Sequence, residues 1–146
     1  MMLTKLFAAE LAQLLAPDVC HEHTARHAVM SVAEDATLLV KHFGCIVCAP
    51  ITKTAFLQCG DERNEIVDPS VPEHIALATA TPSAFERIFA KVRDNIAFTT
   101  LQELSVSTSL KIVMFKHEPS GTNLQLVHRT NPRQIFPDLF LGLQLD

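Results

Sequence analysis

Residues 20 to 30, CHEHTARHAVM, place one cysteine and three histidines within eight positions, and a second pair of cysteines follows in CIVC at 45 to 48. Cysteine thiolates and imidazole nitrogens are the usual ligands of zinc, so the chemistry that these stretches suggest is metal binding. The motif of the zinc proteases requires a histidine four residues after His21, and Ala25 occupies that position. A metal site here would therefore be of another kind.

The spacing of these residues on an extended chain argues against a shared metal ion. His23 and His27 would lie roughly 13 Å apart on a strand, at about 3.3 Å per residue, which is too far for one zinc ion with bonds of about 2 Å. In CIVC, Ile46 and Val47 favour extended structure, which directs the two cysteines to opposite faces. We therefore predict no metal ligands and no cofactor.

The four cysteines are interpreted as reduced, buried thiols, the common state of cysteine inside cells. Two alternatives stay open. In an oxidising environment the cysteines can pair as disulfides in three ways. A Cys/His metal-binding or redox site is the alternative function, and its candidate residues are Cys20, His23, Cys45, Cys48 and Cys59.

The sequence contains no local signature of catalysis. None of its serines lies in a G-x-S-x-G turn, and the cysteines of CIVC have apolar neighbours, which do not activate a thiol. The glycines are single and scattered, so no phosphate-binding loop can be written. We therefore predict that the protein has no catalytic residues and is not an enzyme.

Composition indicates a single globular domain spanning residues 1–146. Apolar residues make up 48% of the chain and charged residues 19%, which leaves enough apolar surface to stabilise one core. The net charge is −4, and there is no basic run, Trp or Tyr, so nucleic-acid binding is not expected. No segment approaches the roughly 20 apolar residues that cross a bilayer. We expect a cytoplasmic protein without membrane contact.

Hydrophobic periodicity predicts two helices. Residues 3–16 carry one apolar stripe, and residues 82–98 form a second amphipathic helix with Thr81 as its N-cap and Pro82 in its first position. Residues 24–43 fit either a helix ending at a glycine or a pair of strands, and their β-branched and aromatic residues favour strands. The sequence thus predicts strands between its two helices.

The remaining segments predict a loop and further strands. Residues 60–74 collect charges, two prolines and a glycine, which is typical of a long loop. Two strand-like segments, 104–118 and 123–130, flank the turn sequence PSGT, and residues 139–145 alternate in the manner of a strand. We find no internal repeat. The predicted class is α+β, with an antiparallel sheet of five to six strands and two main helices packed on one face.

The apolar C-terminal tail supplies the functional hypothesis. The tail adds more apolar side chains than the core of a small domain requires. An unpaired strand edge of this kind can dock onto another chain. We predict a non-enzymatic protein-binding module, such as an assembly subunit, adaptor or dedicated chaperone of a virion, phage tail or secretion machine, that acts with a protein partner or as a homo-oligomer. The predicted protein-binding residues are Leu139, Phe140, Leu141, Leu143 and Leu145.

Overall fold

The computed structural model describes residues 19–107 and 109–139, in which one series of elements occurs twice: a strand, a helix and three strands. The elements of the first half are β1 (Val19–His27), α1 (Val32–Phe43), β2 (Ile46–Val47), β3 (Thr54–Cys59) and β4 (Glu62–Val67). Those of the second half are β5 (His74–Thr79), α2 (Pro82–Arg93), β6 (Phe98–Ser107), β7 (Leu110–His117) and β8 (Thr122–Arg129). The predicted helix at 3–16 and the tail beyond Leu139 lie outside the described residues.

All eight strands belong to one sheet, in the order β2-β3-β4-β1-β5-β8-β7-β6. Within each half the last strand lies beside the first and runs parallel to it, as β1 with β4 and β5 with β8. The two halves meet where β1 and β5 pair antiparallel. The α+β class is confirmed, but the sheet is mixed and larger than the predicted antiparallel sheet of five to six strands. The two halves share one element order, although the sequence itself shows no repeat.

Both helices pack on one face of the sheet. The apolar side of α1 covers β3 and β4 through a cluster that includes Ala36, Leu57 and Ile66. The apolar side of α2 covers β5, β7 and β8 through a larger cluster that includes Phe85 and Ile88. Because the second face carries neither helix, its side chains are available for other contacts. We call it the inner face.

Local sequence signals explain α1, which the sequence analysis favoured as strand. Ser31 accepts a hydrogen bond from the backbone N–H of Glu34 and donates one to the Glu34 carboxylate, so the two residues cap the helix. Gly44 ends it in the left-handed conformation at φ 68°, where a glycine is favoured. The strand interpretation of 24–43 is therefore correct only as far as His27.

The predicted helix α2 is confirmed, although it is shorter than predicted. The Thr81 hydroxyl accepts from the backbone N–H of Ala84, and Pro82 occupies the first position. The helix ends at Arg93, and Ile96, which lies within the predicted range 82–98, is outside the helix and 99% exposed. Neither α1 nor α2 is long and apolar enough to cross a membrane, and the described residues contain no other candidate span.

The interpretation of residues 60–74 as a long loop is wrong. Gly60, at φ 61°, and Asp61 form a turn between β3 and β4, and the strand β4 then occupies Glu62–Val67 in the middle of the stretch. Its residues look like loop residues because Arg63 and Glu65 are charged, but both lie on the inner face, in register with Gln58 and Phe56 of β3. Charged residues in the middle of this sheet therefore lie together on that face.

Two of the cysteines form a disulfide, which corrects the prediction of reduced thiols. Cys45, just after α1, is bonded to Cys59 at the end of β3. Cys20 and Cys48 lie outside this bond and pack at the edge of an apolar cluster on the inner face. The cysteines of CIVC thus have different environments, as expected for an extended spacer.

Candidate metal centre

Three side chains from three strands converge on the inner face. They are His23 of β1, Glu65 of β4 and His74 of β5, and their potential ligand atoms all lie within 4.8 Å of one another. The register explains the meeting, because Ala25 of β1 pairs with Glu65 on one side and with His74 on the other. All three side chains are buried, so the cluster is shielded from bulk water.

The His74 ring is oriented for metal binding. Its Nδ1 lies 2.9 Å from the backbone carbonyl oxygen of Pro72, and because a carbonyl only accepts, Nδ1 carries the proton. In the neutral ring Nε2 is then a lone pair, which lies 3.4 Å from Glu65 Oε1 and has no hydrogen-bond partner among the described residues. A lone pair facing a carboxylate oxygen is unfavourable unless a metal ion or a proton lies between them.

His23 is held in a similar way by a carboxylate. Its Nδ1 lies 3.0 Å from Glu22 Oε1, and its Nε2 lies 3.1 Å from Glu65 Oε1. Burial by itself lowers the pKa of His23, but the hydrogen bonds to Glu22 and Glu65 outweigh it, so the pKa is raised above its ordinary value. The proton that bridges His23 to Glu65 occupies the place that a metal ion would take.

Glu65 is the shared partner of both imidazoles. Burial raises the pKa of Glu65, but the neighbouring imidazoles of His23 and His74 outweigh it and lower the pKa from 4.5 to about 2. The carboxylate is therefore ionised at neutral pH. Two imidazole nitrogens and one carboxylate form a donor set that binds zinc, manganese, iron or cobalt, and each ring nitrogen that faces away from the cluster has a fixed partner.

A bulge in β1 places Glu22 beside His23. The register of β1 against β5 shifts between His21 and His23, so the extra residue, Glu22, is accommodated without a pairing position. Its carboxylate is fully buried and accepts two hydrogen bonds from the Arg129 guanidinium, at 3.0 and 3.1 Å. Burial by itself raises the pKa of Glu22, but the hydrogen bonds from His23 and Arg129 outweigh this effect and lower the pKa below its ordinary value. This carboxylate is therefore also ionised.

The internal repeat indicates a fourth donor. The first half carries His23 two residues before Ala25, and Ala25 pairs with Glu65 of β4. The second half carries His74 two residues before Ala76, and Ala76 pairs with Gln125 of β8. Gln125 therefore holds the position in the second half that Glu65 holds in the first, and its amide oxygen is a further potential ligand.

Aromatic side chains enclose the centre. Phe56 makes an edge-on contact with the His23 ring, with centroids 5.3 Å apart, and Phe136 lies 6.0 Å from the same ring. Phe136 and Leu139, from the segment after β8, are fully buried against the inner face. An apolar enclosure strengthens electrostatic interactions inside it, because water is excluded.

The structure brings together only one of the residues that the sequence singled out for metal binding. His23 belongs to the centre, whereas His27 is directed away and lies 2.7 Å from the Val71 carbonyl oxygen. The cysteines take no part in the cluster. The sequence analysis correctly separated His23 from His27 but missed Glu65 and His74, because their approach depends on strand register that no local spacing reveals.

The predicted protein-binding tail is described only in part. Leu139 is fully buried within the chain, in a cluster with Ala78, Val127 and Phe136. Phe140, Leu141, Leu143 and Leu145 lie outside the described residues, so their role in binding a partner or a second copy stays a prediction.

Solved structures resemble this chain in fold although their sequence identity to it is low. No protein-family model matches the chain, and no curated protein is found to be similar to it. A methylmalonyl-CoA epimerase from Streptomyces coelicolor resembles it with a TM-score of 0.58 at 16% identity, over 77% of this chain and 99% of that one. The chain has the fold of that epimerase. An epimerase from Mycobacterium tuberculosis gives a TM-score of 0.52 at 14% identity, over 79% and 89% of the two chains.

The comparison contradicts the predicted function. The two solved structures described above are epimerases, and this likeness contradicts the predictions of a non-enzymatic assembly subunit, adaptor or chaperone and of a protein that is not an enzyme. The sequence contains no local motif, because His23, Glu65 and His74 lie on three separate strands that each contribute one residue.

Proposed function

We propose that the protein is an enzyme that depends on a divalent metal ion bound by His23, Glu65 and His74, with Gln125 as a fourth ligand. The observation that carries this proposal is the buried Nε2 atom of His74, which faces a carboxylate oxygen without a hydrogen bond. The anchored Nδ1 atoms of both histidines support it, because ligating histidines usually donate their other ring N–H to a carboxylate or carbonyl.

A bound metal ion would act as a Lewis acid that polarises an oxygen atom of the substrate. Residues around the ligands orient them, balance their charge and exclude water. Glu22 fixes the His23 ring, and Arg129 balances the Glu22 charge in the buried interior. Phe56 and Phe136 exclude water. The two carboxylates and one guanidinium leave one net negative charge, which a divalent ion changes to one net positive charge, so the loaded site favours an anionic substrate.

For the reaction class, we propose proton transfer at a carbon atom next to a carbonyl group. The support is the fold, which this chain shares with epimerases. Removal of such a proton is easier when the carbonyl oxygen is polarised. Incubation of the zinc-loaded protein with small carboxylic acids and their thioesters in D2O tests this class, since proton NMR detects exchange at the α-carbon. Metal-dependent exchange is expected, and its absence with all of these compounds would contradict the reaction class but not the metal site.

Metal binding itself is tested by elemental analysis and by calorimetric titration of dialysed protein with Zn²⁺, Mn²⁺ and Co²⁺. One ion per chain is expected, and His74→Ala should weaken binding by at least about 100-fold, since even the loss of an outer partner costs 10–100-fold. His42→Ala is the matched control, because His42 is exposed at the end of α1. Equal affinities in the two variants would show that the metal is bound elsewhere.

A further inference from the structure

The segment from Pro132 to Leu139 lies across the proposed metal centre, and we call it the cover segment. Phe136 contacts Phe56 edge-on with centroids 5.7 Å apart, and both Phe136 and Leu139 are 0% exposed. The segment has its own internal bonds, since the Leu139 N–H donates to the Phe136 carbonyl at 3.0 Å and Arg133 donates to the Leu139 carbonyl at 2.8 Å. The segment therefore covers the His23 side of the centre.

The carboxylate of Asp138 connects the cover segment to polar groups of the sheet. Asp138 accepts a hydrogen bond from Arg63 at 3.2 Å and another from the Gln58 amide nitrogen at 3.2 Å. The Arg63–Asp138 pair is partly exposed, with side chains 18% and 39% accessible, so it contributes little stability. This contact can therefore open without unfolding the sheet.

Arg63 would stay in place after Asp138 leaves. Its other guanidinium nitrogens donate to the backbone carbonyls of His21 and Glu22, at 2.6 and 2.7 Å, and these bonds do not depend on the cover segment. The amide oxygen of the Gln58 side chain, Oε1, is buried and has no hydrogen-bond partner among the described residues. The sheet thus holds a preorganised pair of donors for a carboxylate, with one unused acceptor beside them.

The distance to the metal centre suits a small molecule. Arg63 and Gln58 are paired across β3 and β4, and Glu65 and Phe56 form the next pair on the same face. Two residues along a strand correspond to about 7 Å. A carboxylate bound at Arg63 would therefore leave the other end of a molecule of four or five carbons, by this rough estimate, at the metal ligands.

We propose that the substrate is a small anionic acid whose carboxylate replaces that of Asp138 on Arg63 and Gln58, and that its binding displaces the cover segment. This inference rests on the proposed function. In the structure the Asp138 carboxylate occupies the anion position and Phe136 fills the space next to His23. The substrate makes the same polar contacts, and its second oxygen-bearing group reaches the metal centre once Phe136 has left.

The chain offers a clean reporter, because it contains no Trp and no Tyr. Phe136→Trp introduces one indole into the cover segment. Addition of succinate or glutarate to the zinc-loaded variant should shift the indole emission to longer wavelength as the ring enters water. Chloride at matched ionic strength should leave it unchanged, and phosphate should act more weakly than the dicarboxylates. An equal response to chloride would indicate a general salt effect and would overturn the proposal.

Two substitutions test the roles of Asp138 and Arg63 in succinate binding. Asp138→Asn removes the internal competitor and should tighten succinate binding several-fold, whereas Asp94→Asn, at an exposed position after α2, should not. Arg63→Met should abolish the succinate response while zinc still binds. Retained succinate binding in Arg63→Met would overturn the proposal.

A second measurement uses the unmodified protein, since an indole can disturb a buried position. Hydrogen exchange followed by mass spectrometry should show faster exchange of the Leu139 amide when succinate is added to the zinc-loaded protein. If zinc binds but neither exchange nor fluorescence responds to any dicarboxylate, the present inference is wrong and the metal site stands. If no metal binds at all, the proposed function itself fails.

Discussion

Glu65 is a buried carboxylate between two imidazoles, and its ionisation contributes to the acid stability of the metal-free protein. Its pKa is about 2 in the folded protein against 4.5 in a model compound. A carboxylate with a lowered folded pKa stabilises the protein above the unfolded pKa, and this contribution is lost as the pH falls through the folded value.

We therefore expect the metal-free protein to lose roughly 3 kcal/mol of unfolding free energy between pH 5 and pH 2, as the Glu65 shift implies. Urea unfolding at a series of pH values measures this loss. Glu65→Gln is the control, because it has no charge to lose, and its acid limb should be correspondingly shallower. An acid limb as steep as that of the wild type would show that other carboxylates dominate.

Arg129 is the second decisive residue at this scale, since it neutralises the fully buried Glu22. Arg129→Met leaves that carboxylate without its counter-charge, and loss of one partner of a buried ion pair costs about 3–5 kcal/mol. Chemical denaturation should show a loss of this size. Lys111→Met, which breaks the exposed Lys111–Glu86 pair, should change stability by less than about 1 kcal/mol.

At the scale of the elements, α2 could be predicted and β4 could not. The start of α2 has local signals, a Thr cap and a Pro, and its core side is apolar at helical spacing. In β4, by contrast, the inner face carries Arg63 and Glu65, so the strand resembles a charged loop. Residues selected for chemistry conceal the secondary structure that positions them.

The Cys45–Cys59 disulfide joins the end of α1 to β3 across a sequence separation of 14 residues. Closing a loop of this size stabilises a folded chain by about 3 kcal/mol in the chain-entropy model. We expect reduction with dithiothreitol to lower the unfolding free energy by roughly that amount. Cys48→Ser should show the same difference between reduced and oxidised states, because Cys48 lies outside the bond. An unchanged stability on reduction would show that the bond does not form in solution.

At the scale of the whole molecule, the metal centre lies at the junction of the two halves. His23 and Glu65 come from the first half and His74 from the second, so an ion would connect them across the β1–β5 pair. This arrangement could not be predicted from the sequence. The two halves share a fold but have few residues in common, and the register that aligns His23 with His74 is a property of the assembled sheet.

Metal loading should therefore stabilise the entire fold. At a free concentration 100 times the dissociation constant, a ligand that binds only the native state adds about 2.7 kcal/mol, which corresponds to a rise in Tm of roughly 5–10 °C for a chain of this size. Differential scanning calorimetry with Zn²⁺ and then with EDTA measures this rise and its reversal. His74→Ala should show no rise, whereas a rise in that variant equal to the wild type would place the bound ion elsewhere.

Ala25 separates Glu65 from His74 in the register, and it is 1% exposed. Its methyl group is the smallest side chain available to an L-residue, and a valine there would place two further carbon atoms between the imidazole and the carboxylate. The space for an ion thus exists because the side chain of Ala25 has no atoms beyond its methyl group. A small side chain at position 25 is therefore required for metal binding in the same way as the nitrogen and oxygen ligands around it.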